Sequence, residues 1–257
     1  MIGNFFILLC LAVFCFAMWK LWGYYKNYHD GKKEYQALRE YVTDRDQSQK
    51  SKSKKDTCPV NVDFDALAKV NSDVKAWIYI EGTGVNYPIV QAKDNTYYLH
   101  RTFEKRDSYI GAIFLDEGCA DDFTSENSIV YGHNLKNGEM FGMLKKHYDT
   151  SYNEDADYKK HEKIWIITPE EEIEYQLFAA RELDVNIEKN AYMISFATAE
   201  DRQSYIESAQ KKSLYQTQTK VDTANPILTL STCTSSSESG RFIIQATQIQ
   251  RTTKETK

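Results

Sequence analysis

The feature that most constrains the fold is a series of eight short apolar runs, each four to nine residues long. They are rich in β-branched and aromatic residues, and Gly, Asn, Asp and Pro occur in the stretches between them. Many short strands at this spacing predict a mainly β fold, either a closed barrel or a sandwich. The predicted strands are residues 76–80, 86–91, 111–115, 128–131, 163–168, 173–180, 226–233 and 241–249.

Three helices are predicted before and between these strands. Residues 63–70 form a short helix before the first strand, and residues 138–147 form an amphipathic insert. Residues 198–212 begin with an N-capping Thr198 followed by acidic residues, which stabilise a helix N-terminus. This last helix lies in a long connection, and ordered connections of that length often form a wall or lid of a functional site.

Composition excludes some classes of function. The chain has 257 residues and a net charge of −5, with no basic stripe, so nucleic acid is not an expected partner. Its five cysteines are scattered, and no Cys or Cys/His spacing typical of zinc occurs, so a zinc site is not expected. A disulfide between Cys58 and Cys119 is left open.

The N-terminus predicts a membrane anchor over residues 1–25. Residues 5–19 are an unbroken apolar run, and Lys20 with interfacial aromatic residues completes a span. No small-residue cleavage site follows, which argues against a removed signal peptide. Four lysines after the span would place the remainder in the cytoplasm by charge, which conflicts with the function inferred below. Residues 26–62 are predicted as a helix over 33–42 and a basic linker over 48–55, before a catalytic domain over 63–257.

The last two strands bring chemistry-bearing residues together. The strand that begins at Pro226 ends on Cys233, a short polar loop follows, and the next strand begins at Arg241. Such a hairpin places the cysteine and the arginine at the same end of adjacent strands, where a guanidinium favours the thiolate form of the thiol.

Thiol catalysis requires a base, and His133 is the best candidate. It closes the strand at residues 128–131, with Gly132 before it and Asn134 after it. His29, His147 and His161 read as surface residues. His100 fits either a core or a groove position.

Three segments stand out together: Tyr131-Gly132-His133-Asn134, Thr229-Leu230-Ser231-Thr232-Cys233 and Gly240-Arg241-Phe242. They resemble the signature of the sortases, the cysteine transpeptidases of Gram-positive cell surfaces. The resemblance covers about residues 63–250, and the N-terminal anchor agrees with it. Class B is the best match, because the chain has a helical N-terminal extension and a helix-bearing insert before the cysteine strand, and lacks a C-terminal hydrophobic segment or pilin-type lid.

The resemblance implies an eight-stranded sortase barrel without a required metal, on the outer side of the cell membrane. Cys233 would attack a substrate carbonyl, His133 would move the proton, and Arg241 would stabilise the oxyanion. The substrate would be a surface protein with a C-terminal NPQTN-like or LPxTG-like motif cleaved after threonine. The acceptor would be a cell-wall amine, on lipid II or a peptidoglycan cross-bridge. The implied groove residues are Asn95, Leu99, Tyr131, Ser231 and Thr232.

One feature departs from some relatives, because residues 234–237 are Thr-Ser-Ser-Ser and supply no acidic partner after the cysteine. Two other functions remain open from the residues alone. One is a cysteine peptidase that transfers the acyl group only to water. The other is a membrane-tethered binding domain with an inert thiol.

Overall fold

The computed structural model describes residues 2–45, 57–233 and 238–254. Eight strands form a barrel: β3 (Val74–Ile80), β4 (Val85–Val90), β5 (Ile113–Leu115), β6 (Asn127–Tyr131), β7 (Lys163–Ile167), β8 (Glu171–Asp184), β9 (Ile227–Cys233) and β10 (Gly240–Thr253). They close in the order β10-β8-β7-β3-β4-β5-β6-β9, which confirms the predicted barrel.

Two pairs of neighbouring strands are parallel, β4 with β5 and β6 with β9, and the other pairs in the barrel are antiparallel. The parallel pairing of β6 with β9 joins segments about a hundred residues apart and aligns Tyr131 with Ser231. His133, two residues past the end of β6, and Cys233, which ends β9, therefore follow or end strands at the same rim of the barrel.

A second, two-stranded sheet precedes the barrel, and the sequence did not predict it. Strand β1 (Val42–Asp44) pairs antiparallel with β2 (Val60–Val62). The helix predicted over residues 33–42 is correspondingly wrong at its end. Helix α1 (Ile2–Leu38) stops at Leu38, and a 3-10 turn (Arg39–Tyr41) leads into β1. The pairing partner of Val42 is twenty residues away, so local spacing could not reveal it.

Helix α1 packs its C-terminal part against the barrel. Tyr35 and Leu38 are buried, and the Tyr35 hydroxyl donates to the carbonyl of Gly111 at 2.7 Å. In the part of the chain that the structure describes, no helix combines the length and the apolar character needed to cross a membrane. The anchor over residues 1–25 and the domain boundaries at 25 and 62 therefore stay predictions. The predicted basic linker at 48–55 lies outside the described residues.

The remaining helices are α2 (Phe64–Val70), α3 (Gly142–Tyr148) and α4 (Ala199–Lys211). α2 and α4 match their predictions, and the Thr198 hydroxyl caps α4 by accepting from the Asp201 amide. The helix predicted from residue 138 begins four residues later. Gly138 and Met140 have φ values of 85° and 55°, and left-handed backbone cannot belong to a right-handed helix.

Candidate active site

The hairpin of β9 and β10 forms one side of the site. Its antiparallel register pairs Cys233 directly with Arg241, so the predicted placement of these two residues on adjacent strand ends is confirmed for the backbone. The Cys233 side chain and residues 234–237 lie outside the described part of the structure. The predicted contacts of the Cys233 sulfur therefore stay predictions.

Arg241 is oriented by backbone carbonyls of the turn that precedes it. Its Nη1 donates to the carbonyl of Glu238 at 2.9 Å and to that of Gly240 at 2.8 Å. Within the described segments, Nη2 and Nε have no hydrogen-bond partner. The guanidinium is thus fixed through one nitrogen, while its other donors can serve a ligand.

His133 follows the end of β6 and is held by a backbone carbonyl. Its Nε2 lies 2.6 Å from the carbonyl oxygen of Leu99. A carbonyl oxygen only accepts, so Nε2 carries a proton in this contact, and Nδ1 is the ring nitrogen left to exchange one. Burial of the ring lowers the pKa of His133, and the nearby His100 adds to this effect, while the bond to Leu99 opposes it.

Gly111 lies against the other side of this arrangement. A Cβ atom at position 111 would lie 2.7 Å from Cδ2 of His133 and 2.8 Å from the Leu99 carbonyl oxygen. The residue also has a φ of 64°, which L side chains rarely adopt. Gly111 thus leaves the space that the imidazole and its carbonyl partner occupy.

A cavity of about 340 Å³ opens beside these residues, and we call it the donor groove. Its lining includes both His133 and Arg241, and all five groove residues implied by the resemblance. Three further wall residues, Phe114, Val185 and Tyr192, were not predicted. The full lining is Asn95, Leu99, Phe114, Tyr131, Gly132, His133, Val185, Tyr192, Ser231, Thr232 and Arg241.

Asp116 binds two residues that line the donor groove and holds their side chains in place. Its Oδ2 accepts from the Tyr131 hydroxyl at 2.9 Å and from the Asn95 amide at 2.9 Å. Burial, together with the Asp116 carboxylate, raises the pKa of Tyr131, so this hydroxyl keeps its proton and donates. The sequence offered one signal for Asp116, a charged residue placed directly after the buried strand β5.

The long connection between β8 and β9 also contributes to the lining. Tyr192 ends a 3-10 turn (Lys189–Tyr192), and its hydroxyl lies 2.6 Å from the Ser231 hydroxyl. Its ring contacts that of Tyr131 at 5.8 Å. Val185 and Tyr192 of this connection thus line the donor groove, whereas α4, on which the expectation of a wall or lid rests, does not.

Two of the remaining histidines, His147 and His161, are less exposed than predicted. His29 is exposed as expected, and His100 is exposed as well. His161, however, is buried, and His147 is half-buried with its ring 4.6 Å from that of His161. Their neighbours in sequence are charged, but the 3-10 turn at Tyr158–His161 directs His161 inward, where its Nδ1 contacts the Glu81 carbonyl at 2.7 Å.

The other cysteines have different surroundings. Cys58 and Cys119 are both buried and free, so they do not form the disulfide that the sequence left open. Burial raises the pKa of Cys58 to about 12 and that of Cys119 to about 11, so both remain thiols at neutral pH. In the described segments, no three His, Cys, Asp or Glu side chains cluster in a way that could hold a metal ion.

Comparisons with known proteins agree with this architecture. The sortase domain family matches residues 78–249. A curated relative, sortase B of Listeria monocytogenes, is 31% identical over 255 residues, which is 95% of each chain. The crystal structure of sortase B from Bacillus anthracis superposes with a TM-score of 0.70 at 30% identity and covers 88% of this chain and 99% of that one.

A structure described as a Staphylococcus aureus sortase B–substrate complex has a TM-score of 0.70 at 28% identity and covers 86% of this chain and 97% of its own. The family match spans more than half of the chain, and the curated relative spans nearly all of it. The chain therefore belongs to the sortase family and is a class B, sortase-type cysteine transpeptidase.

Proposed function

We propose that the enzyme cleaves a C-terminal sorting motif after threonine, forms a thioacyl intermediate on Cys233, and transfers the acyl group to a cell-wall amine. The motif would be NPQTN-like or LPxTG-like, and the amine would belong to lipid II or a peptidoglycan cross-bridge. The observation that carries this proposal is the register of Cys233 with Arg241 at the donor groove, whose lining also includes His133.

The reaction divides into two acyl transfers. In the first, the Cys233 thiolate attacks the threonine carbonyl carbon, a carbon–sulfur bond forms, the peptide C–N bond breaks, and His133 protonates the departing amine. In the second, the acceptor nitrogen attacks the thioester, an amide bond forms, the carbon–sulfur bond breaks, and His133 takes the proton from the amine. Each step passes through an oxyanion that the Arg241 guanidinium would stabilise.

The lowered pKa of His133 bears on both steps. Once the Cys233 thiol has passed its proton to the imidazole, the imidazolium would be a stronger acid toward the departing amine, and the neutral imidazole left after that transfer would accept the proton of the incoming one. The bond from Nε2 to the Leu99 carbonyl fixes the tautomer, so Nδ1 would exchange the proton in each step.

The donor groove would bind the residues of the sorting motif that precede the scissile bond. Leu99, Phe114 and Val185 supply apolar surface, while Ser231 and Thr232 lie on the strand that ends at Cys233. Asp116 fixes the Tyr131 hydroxyl and the Asn95 amide in place, so these two polar groups are already oriented when a peptide enters.

Substitution of the two hairpin residues tests the assignment. Cys233→Ala should abolish both cleavage of a sorting-motif peptide and transfer to an amine, and residual turnover would contradict it. Arg241→Lys should lose most activity, because one ammonium group does not reproduce a planar fork of donors. Wild-type rates in Arg241→Lys would exclude the proposed role at the oxyanion.

Product analysis separates a transpeptidase from a peptidase that uses water only. With an added amine, mass spectrometry should find the amide adduct, whereas a hydrolase would yield only the acid. Thiol alkylation at neutral pH should modify Cys233 selectively once the exposed Cys10 and Cys15 are replaced by serine, since Cys58 and Cys119 are buried thiols. An unreactive Cys233 would favour an inert thiol.

We also propose that the apolar N-terminal run attaches the enzyme to a membrane, with the catalytic domain outside the cell. The support is the sequence of residues 5–19 together with the exposure of its large apolar side chains, such as Phe14 at 62% and Trp19 at 65%. The enzyme should stay with membranes through an alkaline carbonate wash and should be digested by protease added to intact cells. Release by the wash, or protection from the protease, would refute one part of this proposal.

A further inference from the structure

A second cavity of about 530 Å³ lies beside the active site, and we call it the lysine cavity. It is formed by the loop that follows His133 and by α3. Its lining carries three lysines and mixes polar with apolar surface, which distinguishes it from the largely apolar donor groove. The side chains that matter here are Asn134, Lys136, Asn137, Lys145, Lys146 and Tyr152.

The three lysines differ in how they are neutralised. Lys145 forms ion pairs with Glu182 and with Asp149. Lys136 and Lys146 are exposed and have no carboxylate partner among the described residues. The nearby Glu139 is itself paired with Lys32 at 3.4 Å. The lysine cavity therefore has two unpaired ammonium groups, in a chain whose net charge is −5.

Its position relative to His133 is fixed by the backbone. The amide of Phe141 donates to the His133 carbonyl at 3.0 Å, and Asn134 pairs with Met140 as an isolated bridge. These contacts close the loop between them, so that His133 lines the donor groove and the next residue, Asn134, lines the lysine cavity. The two cavities are thus lined by consecutive residues, the candidate base and the residue after it.

This arrangement matches the needs of the second acyl transfer. While the acyl group occupies the donor groove, an incoming amine has to reach His133 from another side. The ammonium groups of Lys136 and Lys146 would repel a protonated amine but would attract an anionic group elsewhere on the same molecule. The amides of Asn134 and Asn137 add hydrogen-bond donors, and the exposed Tyr152 adds an aromatic face.

We propose that the lysine cavity binds the anionic portion, phosphate or carboxylate, of the amine acceptor and so directs its amino group to His133. This proposal rests on the transpeptidation proposed above. In this proposal, the loop after His133 and α3 select the acceptor, and the donor groove binds the sorting motif.

The test compares acceptors that differ at the end remote from the amine. The wild-type enzyme, Lys136→Gln/Lys146→Gln, and the control Lys211→Gln/Lys220→Gln are assayed with triglycinamide, triglycine and O-phosphoethanolamine. The control removes the same charge at two exposed lysines outside the cavity. The ratio of KM for an anionic acceptor to KM for triglycinamide should rise about fivefold in the cavity variant only.

The two anionic acceptors identify the source of the charge. A larger rise with O-phosphoethanolamine indicates a phosphate-bearing acceptor, and a larger rise with triglycine indicates a carboxylate. An unchanged ratio in the cavity variant, or an equal rise in the control, overturns the proposal. A wild-type enzyme that cleaves the donor but transfers it to no amine contradicts transpeptidation itself.

A binding measurement tests the site independently of turnover. Calorimetric titration with inorganic pyrophosphate should detect binding to wild type and to the control, and weaker binding to Lys136→Gln/Lys146→Gln. Because the lysines are exposed, raising NaCl from about 0.05 M to about 0.5 M should also weaken this binding. Equal affinity in all three proteins, or affinity independent of salt, overturns the proposal.

Discussion

Replacement of Gly111 by alanine is the sharpest test of how the imidazole is positioned. The added methyl group would lie 2.7 Å from Cδ2 of His133 and 2.8 Å from the Leu99 carbonyl oxygen. These distances fall short of normal carbon contacts by about 0.7 Å or more. The ring or the carbonyl must therefore move, and the 2.6 Å contact between them cannot survive unchanged.

Gly84→Ala is the matched control for backbone strain. Gly84 lies in the turn between β3 and β4 and has a φ of 77°, close to the 64° of Gly111, but a methyl group added to it would meet no atom within 4 Å. Both substitutions place alanine in the left-handed region, which costs about 1 kcal/mol. Only Gly111→Ala adds steric overlap, which costs about a further 1–3 kcal/mol.

The two variants should therefore differ more in kcat than in their free energy of unfolding. Urea unfolding should find Gly84→Ala about 1 kcal/mol less stable than wild type, and Gly111→Ala about 2–4 kcal/mol less stable. The kcat for peptide cleavage should fall about 100-fold in Gly111→Ala, as expected for displacement of a catalytic group by up to 1 Å. In Gly84→Ala it should stay close to the wild-type value.

Two results would refute this reasoning. Wild-type kcat in Gly111→Ala would mean that the position of the imidazole does not depend on the space at residue 111. Equal losses of kcat in both variants would mean that backbone strain, rather than contact with His133, limits the activity.

Three further predictions concern the surroundings of the site. Tyr35→Phe removes a hydroxyl that donates to the Gly111 carbonyl and accepts from the Phe103 amide, so it should lower kcat and should lower the unfolding free energy by about 1–3 kcal/mol. Tyr148→Phe removes a buried hydroxyl–carbonyl bond of 2.6 Å and should lower only the unfolding free energy, by about 1 kcal/mol; equal kcat in the two variants would exclude the coupling. In the pH–rate profile of amine transfer, the rate should fall to half of its maximum only below pH 6.5, because the pKa of His133 is lowered and the neutral imidazole persists at lower pH. A midpoint at or above pH 6.5 would contradict this. Burial lowers the pKa of His147 to about 4, so between about pH 6.5 and pH 4 the unfolded chain binds a proton that the folded protein does not. The unfolding free energy should therefore fall by about 1–2 kcal/mol as the pH drops through this range, after allowance for the partial exposure of the ring. Urea unfolding of His147→Gln should depend less on pH than that of the wild type.

Local patterns were sufficient for most of the barrel. Period-two and continuous apolar runs identified all eight of its strands, and the N-cap at Thr198 located α4 within one residue. Local patterns failed where a distant partner decides the structure. Val42 is extended because it pairs with Val62, and the helix after residue 138 starts late because positive φ values at Gly138 and Met140 close the loop behind His133.

The order of residues along the chain was enough to place Cys233 opposite Arg241, since the end of one strand and the start of the next must pair when the two form a hairpin. The surroundings of this pair depend on how the barrel closes. Three contacts join segments that are distant along the chain: Asp116 with Tyr131, Tyr192 with Ser231, and Gly111 with His133. The closure of the barrel brings these segments together, and a contact of that kind leaves no periodic signal in either segment.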